Sequence, residues 1–163
     1  MDMIPIMPDD LYERDILIWS EHQADLLRRI ARGACVNDVD WAHVVEEIES
    51  VGLTQLHDVE TYLRRMLVAL LKCHGWPGSP AIAQWREESV SCQADAGQRF
   101  TPSMRQKIDL QRLHRIATEQ VAVAGYDGRE PCPWPATCPF TLDQLLNDRR
   151  PALEAVLAAA SAP

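Results

Sequence analysis

The 163-residue sequence lacks several features that would point directly to a function. No apolar run approaches the roughly 18 residues that cross a bilayer, and residues 1–8 lack the basic segment and apolar core of a signal peptide. Neither GxGxxG nor GxxxxGK[ST] occurs, which excludes nucleotide binding through these glycine-rich loops. We therefore expect a cytoplasmic protein that is not embedded in a membrane, and we predict no cofactor.

Aromatic residues are also few, with only two Phe and three Tyr, whereas Leu, Ala and Glu are abundant, a composition that favours helices. The five cysteines are scattered and odd in number, which is typical of reduced thiols rather than a disulfide framework. Cys132 and Cys138 are the nearest pair, but their spacing is not that of a zinc knuckle or a redox motif. The net charge of −8 repels phosphate backbones, so we predict no nucleic-acid partner.

The stretch from Asp40 to His74 is the most regular part of the sequence. Its apolar residues recur at a mean step close to 3.6, which predicts a long amphipathic helix capped by Asp40. Gly52 costs such a helix about 1 kcal/mol relative to alanine, so the sequence allows either one helix or two that meet at Gly52. We expect Ile48 and Val51 to face the core.

The remaining segments carry start and stop signals for further helices. The first helix begins at Asp9, Asp10 or Asp15 and ends at Gly33; others follow Ser79-Pro80, Thr101-Pro102, the capping box Thr141–Gln144, and Pro151. Four prolines exclude a helix over residues 131–139 and predict an extended strap. The sequence thus predicts an all-α fold, a single-domain helical bundle of about five to six helices. We expect residues 1–9 to be a flexible arm and residues 152–163 a weakly anchored tail.

Three segments together carry a resemblance to a known family: Tyr12–Leu27, Glu46–Lys72 and Cys138–Leu146. In this order and spacing, the chain resembles the bacterial family called domain of unknown function twenty-nine. The resemblance implies an all-helical protein without an established activity. Trp85 and Arg86 match a tryptophan and arginine often present in the family. The chain departs from the family at Ala69, where a histidine is common, and at Cys73, where an aromatic residue is common.

The run Glu46-Glu47-Ile48-Glu49 supplies the candidate site residues. On a helix its three carboxylates diverge, which is typical of an amphipathic boundary stabilised by pairs such as Glu60 with Arg64. Alternatively, His43 and Glu47 are four residues apart and both can reach one divalent metal ion, with further acids from another helix, as in a hydrolase. The candidates for binding are Glu46, Glu49, Asp58, Trp85 and Arg86.

Two further patterns bear on function. Cys73 and His74 are adjacent, so their side chains diverge by about 100° on a helix and do not form a catalytic dyad. The basic residues Arg99, Arg105, Lys107, Arg112 and Arg115 are expected to pair with the acidic edges of the central helix. The preferred hypothesis is a soluble interaction or scaffold module that binds a protein partner or itself as a homodimer, using apolar surface at Trp76, Trp134 and the last helix.

Overall fold

The computed structural model describes residues 8–124, 126 and 128–161. Within these residues the chain forms seven α-helices, one 3-10 turn and no strand, which confirms the all-α prediction. The helices are α1 Pro8–Arg14, α2 Ile16–Ala31, α3 Trp41–Gly75, α4 Ile82–Arg99, α5 Leu110–Ala124, α6 Leu142–Asn147 and α7 Arg150–Ala160. Of the predicted arm, residues 1–7 lie outside the described residues, while Pro8 and Asp9 open α1.

The chain divides into two compact units, residues 1–53 and residues 54–163. The division falls inside α3, which is a single 35-residue helix and is not interrupted at Gly52. A mid-helix glycine weakens a helix without breaking it, because its backbone still makes the helical hydrogen bonds. The single-domain organisation stays a prediction.

The first unit contains α1, α2 and the start of α3. Asp15 separates the first two helices, because its carboxylate accepts the Ile18 N–H at 3.1 Å and caps α2. The expected single first helix is therefore two. Gly33 ends α2 in the left-handed region, with φ of +87°, which glycine adopts without strain. A small core then forms from Trp19, Leu26, Val39 and Val44.

The second unit contains the rest of α3 and helices α4 to α7. The apolar face of α3 from Val59 to Leu71 is buried, and α5 adds Leu113, Ala117 and Val121 to the same core. Helix α4 packs against α6 and α7. The capping box of α6 is confirmed: Thr141 Oγ1 accepts the Gln144 N–H at 3.2 Å, and Gln144 Oε1 accepts the Thr141 N–H at 2.8 Å.

Residues 131–140 contain no helix, as their prolines predict. The Cys132 N–H donates to the Gly75 carbonyl at 2.9 Å, which fixes this strap to the end of α3. A Cβ at Gly75 would lie 3.2 Å from Pro131 and 3.3 Å from the Trp134 ring, so glycine permits the close approach. The predicted anchor Phe140 is buried, and Trp134 packs against the core.

The prediction that Ile48 and Val51 face the core is wrong: 68% and 62% of their surfaces are exposed. The face that buries Val44 continues through both residues on α3, since they follow it by four and seven positions. Among the described residues of the first unit, α1 contacts α3 through the Tyr12 hydroxyl, which donates to Glu47, one position before Ile48. An apolar pattern shows which face favours burial, but burial also requires a covering element.

Three other sequence expectations need correction. Thr101-Pro102 starts only the 3-10 turn Pro102–Met104, and α5 begins later, where Asp109 Oδ1 accepts the Arg112 N–H at 3.0 Å. Glu60 pairs with Arg112 at 2.6 Å rather than with Arg64, whose guanidinium donates to Gln120. The predicted pairing of the basic residues with the acidic edges of the central helix is thus confirmed at Arg112. The remaining correction concerns Trp76.

Trp76 was expected on the surface but is buried, and its indole N–H donates to the Arg129 carbonyl at 2.9 Å. Its ring also lies 5.0 Å from that of Tyr126, in an edge-to-face arrangement. The residues that cover this indole, Tyr126 and Arg129, come much later in the chain than α3, and helical periodicity does not reveal such a contact. Trp76 is therefore part of the core rather than of a dimer interface.

Candidate functional site

The carboxylates of the run Glu46–Glu49 do not converge. Glu46 and Glu49 are exposed, whereas Glu47 is half-buried and accepts the Tyr12 hydroxyl at 2.6 Å. Asp58 is half-buried further along α3, within the second unit. The hydrogen bond to Glu47 is the main reason why the pKa of Tyr12 is raised to about 12. Tyr12 therefore acts as a neutral hydrogen-bond donor.

A polar cluster surrounds Asp40 at the start of α3. Asp40 Oδ2 lies 2.6 Å from His43 Nδ1 and accepts the Trp19 indole N–H at 3.2 Å, while the Asp40 N–H donates to Gln23 Oε1 at 3.0 Å. The Tyr12 ring stacks on that of His43 with centroids 4.0 Å apart. Burial alone raises the pKa of Asp40, but hydrogen bonds from His43 and Trp19 outweigh it and hold that pKa below its usual value.

This cluster joins α1 and α2 to α3. The two metal-ligand candidates, His43 and Glu47, contact different parts of Tyr12. The Tyr12 ring stacks on His43, and its hydroxyl donates a hydrogen bond to Glu47. In the part of the chain that the structure describes, no group of three or more His, Cys, Asp or Glu side chains is placed to hold a metal ion. Nothing among these residues favours the hydrolase alternative. Sequence reasoning did not connect Tyr12 and Trp19 with Asp40, although both lie in the segment on which the family resemblance rests.

Trp85 and Arg86 are adjacent on α4 but lie in different environments. Trp85 is 4% exposed, and its ring contacts that of Tyr126 edge-on with centroids 5.0 Å apart. The Lys72 ammonium lies 5.9 Å from the Trp85 ring centroid. Arg86 is half-exposed and its Nε lies 3.6 Å from Glu154 Oε1 on α7. The binding roles of both residues stay predictions, and the buried position gives Trp85 a packing role as well.

Arg86 also borders a cavity of about 370 Å³ within the second unit. The walls come from the end of α3, the start of α4, the strap and α7, through Leu70, Cys73, His74, Pro77, Ile82, Arg86, Cys132, Glu154, Leu157 and Ala158. Burial raises the pKa of the Cys73 thiol to about 11, so this thiol is neutral at pH 7. His74 Nε2 donates to the Pro133 carbonyl at 2.9 Å.

The exposed apolar side chains are concentrated elsewhere, in the first unit. Among the described residues, ten large hydrophobic side chains are exposed, and eight of them lie between residues 16 and 53: Ile16, Leu17, Ile18, Trp41, Val45, Ile48, Val51 and Leu53. Residues 1–53 contain twelve acidic and four basic residues, whereas residues 54–163 contain twelve of each. The whole net charge of −8 therefore belongs to the first unit.

One buried polar group in the second unit predicts a pH dependence of stability. His114 on α5 is 1% exposed, and neither ring nitrogen has a hydrogen-bond partner among the described residues. Burial lowers the pKa of the His114 imidazole below its usual value of 6.5. Below pH 6.5 the unfolded state therefore binds a proton at His114 more readily than the folded state does. The stability that this group contributes above pH 6.5 is lost as the pH falls.

We expect His114→Leu to remove this part of the acid destabilisation. Because the substitution also removes an unpaired buried polar group, it should raise the free energy of unfolding at pH 7 by about 1–3 kcal/mol. Urea denaturation of both proteins, repeated at intervals of about half a pH unit between about pH 7.5 and about pH 5, measures the effect. If the free energies of unfolding of the two proteins decrease in parallel as the pH falls, this expectation is wrong.

The fold and these sites define an all-α protein with an acidic N-terminal unit that exposes apolar residues. The chain belongs to the family described as Domain of unknown function DUF29, whose family model matches residues 11–150. It is also similar to a crystal structure of an α-helical protein of unknown function from Rhodospirillum rubrum, at 28% identity and a TM-score of 0.68. That match covers 88% of this chain and 95% of the other.

No curated protein matches the chain. Among the described residues, no helix is both long enough and apolar enough to pass through a membrane. The comparisons therefore establish the family and the fold, and the case for a function depends on the residues themselves.

Proposed function

We propose that this protein is an interaction module whose N-terminal unit binds a partner helix that carries basic residues beside an apolar face. The binding surface, named here the acidic apolar face, consists of Trp41, Val45, Ile48 and Val51 with the flanking Glu47 and Glu49. Its four apolar residues are exposed and follow one another at steps of three or four along α3. This spacing is the one that accepts the apolar side chains of another helix.

The exposure of these residues is the observation that carries the proposal. Exposed apolar residues are common singly, but a contiguous set on one face is typical of an interaction surface. Ile16, Leu17 and Ile18 at the start of α2, in the same unit, are exposed as well. The apolar residues of the second unit, in contrast, are mostly buried in its core.

The charge of this face supports a basic partner. No Lys or Arg occurs between Arg32 and Arg64, so the part of α3 that carries the acidic apolar face has acidic residues but no Lys or Arg. A partner with Lys or Arg at its flanks gains complementary contacts and is attracted from a distance. A second copy would present the same acids at Glu47 and Glu49, and like charges opposed across an interface disfavour it. The charges therefore favour a basic helix over a homodimer.

Binding of two matched synthetic peptides tests this proposal. One is an amphipathic helix of leucine and lysine, and the other has glutamate at every lysine position; fluorescence anisotropy of the labelled peptides measures the affinity. We expect the lysine peptide to bind, the glutamate peptide not to bind, and added salt to weaken the complex. Ile48→Ser should weaken binding at least about tenfold, equivalent to about 1.4 kcal/mol.

Val123→Ser is the matched control, because Val123 is 88% exposed on α5, outside the acidic apolar face. It should leave the affinity unchanged, and circular dichroism of both variants should show the same helix content. Equal binding of both peptides, or an Ile48→Ser protein that binds as the wild type does, would refute the proposal. A dimer in sedimentation velocity that Ile48→Ser dissociates would show instead that a second copy covers this face.

A further inference from the structure

The cavity between α3, α4, the strap and α7 is independent of the acidic apolar face, since all its walls belong to residues 54–163. Its apolar side chains are Leu70, Pro77, Ile82, Leu157 and Ala158. At about 370 Å³ it falls near the lower end of the roughly 300–1,000 Å³ found for small-molecule sites. Such sites are mostly apolar and contain a few polar groups that orient the ligand.

The charged groups at this cavity favour an anion. Glu154 and Arg86 both line it, with Nε of Arg86 3.6 Å from Oε1 of Glu154. Glu154 also accepts a hydrogen bond from Arg150 on its own helix. Two guanidinium groups therefore share the Glu154 carboxylate, and only that of Arg86 lines the cavity, so one positive charge is in excess around this carboxylate. Arg86 is half-exposed, and among the described residues its side chain has only this long contact to Glu154, so its remaining N–H groups are available to a carboxylate.

The buried thiol in the wall adds no charge. The Cys73 thiol is buried and neutral, and burial among apolar neighbours keeps it so. Cys132 is exposed, and its backbone N–H is held by the Gly75 carbonyl. Together with the apolar residues, these side chains form a wall suited to a hydrocarbon body.

We propose that this cavity binds a small monocarboxylate with an apolar body, whose carboxylate contacts Arg86 and whose hydrocarbon part lies against Leu70, Ile82 and Leu157. A positively charged ligand would meet the excess arginine charge, and a neutral alcohol would offer the Arg86 donors a single uncharged oxygen instead of a carboxylate. The site is thus expected to distinguish ligands of the same length by their head group. This inference does not depend on the proposed peptide-binding function.

Isothermal titration calorimetry with octanoate, octan-1-ol and octylamine tests the head-group preference. Octanoate should bind, and at least about tenfold more tightly than the alcohol or the amine. Arg86→Gln should weaken octanoate binding at least about tenfold, and Arg86→Lys should restore part of it, because lysine keeps the charge but not the forked geometry. Ala158→Trp should block the cavity, whereas Ala159→Trp, on the same helix but outside the lining, should not.

Alkylation of two exposed cysteines locates the bound octanoate. Cys132 lines the cavity and Cys35 does not, and both thiols are exposed, so Cys35 serves as an internal control. Mass spectrometry after iodoacetamide treatment should show octanoate slowing the modification of Cys132 alone. The inference fails if octanoate does not bind, if octanol binds as tightly, if Arg86→Gln has no effect, or if both cysteines are protected equally. Ile48→Ser, which tests the peptide-binding surface, should leave octanoate binding unchanged.

Discussion

Replacing Leu67 with alanine is expected to lower the free energy of unfolding by about 2–5 kcal/mol. Leu67 is fully buried in the core of the second unit, on the face of α3 that also buries Leu63 and Leu70. The substitution removes apolar surface from that core and leaves a cavity that the neighbouring helices fill only in part. Urea denaturation followed by circular dichroism measures the loss.

Ile48→Ala is the matched comparison, because it shortens another apolar residue of the same helix. Ile48 is exposed, so we expect a change within about 0.5 kcal/mol. Leucine and isoleucine have similar helix propensities relative to this difference, which leaves burial as the property that separates the two variants. A loss of the same size at both positions would show that Ile48 is covered in solution.

The comparison of Ile48 with Leu67 also shows how far periodicity predicts a fold. Both positions belong to one apolar pattern with a step near 3.6, and that pattern correctly predicts a long helix. The pattern runs through both positions, yet only Leu67 is buried. Burial depends on whether other helices extend over that part of the face, a property of the tertiary structure rather than of the local sequence.

Features determined by neighbouring residues were predicted well. Asp40 at the start of α3, Gly33 at the end of α2 and the Thr141–Gln144 capping box act within three or four residues of the backbone groups that they satisfy. Thr101-Pro102 shows the limit of such signals, since it resembles a helix start but initiates only a single turn. A capping sequence makes a start favourable but does not ensure that the following residues continue as a helix.

The candidate sites were harder to predict because they join distant parts of the chain. Arg86 was a candidate from the family resemblance alone, and nothing in the sequence showed that Cys73, Cys132 and Glu154 would line the same cavity. The Asp40 cluster similarly needs Trp19 and Tyr12 from other helices. Ion pairs show the same effect: Arg64 is one turn from Glu60, but Arg112, 52 positions away, is the residue that bonds it.

Trp85→Ala is expected to lower the free energy of unfolding by about 3–5 kcal/mol. The indole is 4% exposed and contacts Tyr126, so its removal opens a large cavity in the core of the second unit. Trp85→Phe keeps an aromatic ring in that position and should recover much of the loss, because aromatic contacts at this distance add to the burial of the ring. Chemical denaturation of both variants measures the difference.

Arg86→Ala, one residue further along, should change the stability by no more than about 1 kcal/mol, since Arg86 is half-exposed and its pair with Glu154 is screened by solvent. The same substitution should nevertheless weaken octanoate binding as strongly as Arg86→Gln does. Trp85→Phe, measured where it is fully folded, should bind octanoate as the wild type does, because Trp85 does not line the cavity. A stable Trp85→Ala protein, or an unfolded Arg86→Ala protein, would reverse the roles assigned to these two residues. These adjacent residues of α4 therefore have different roles: Trp85 packs in the core, and Arg86 faces the cavity.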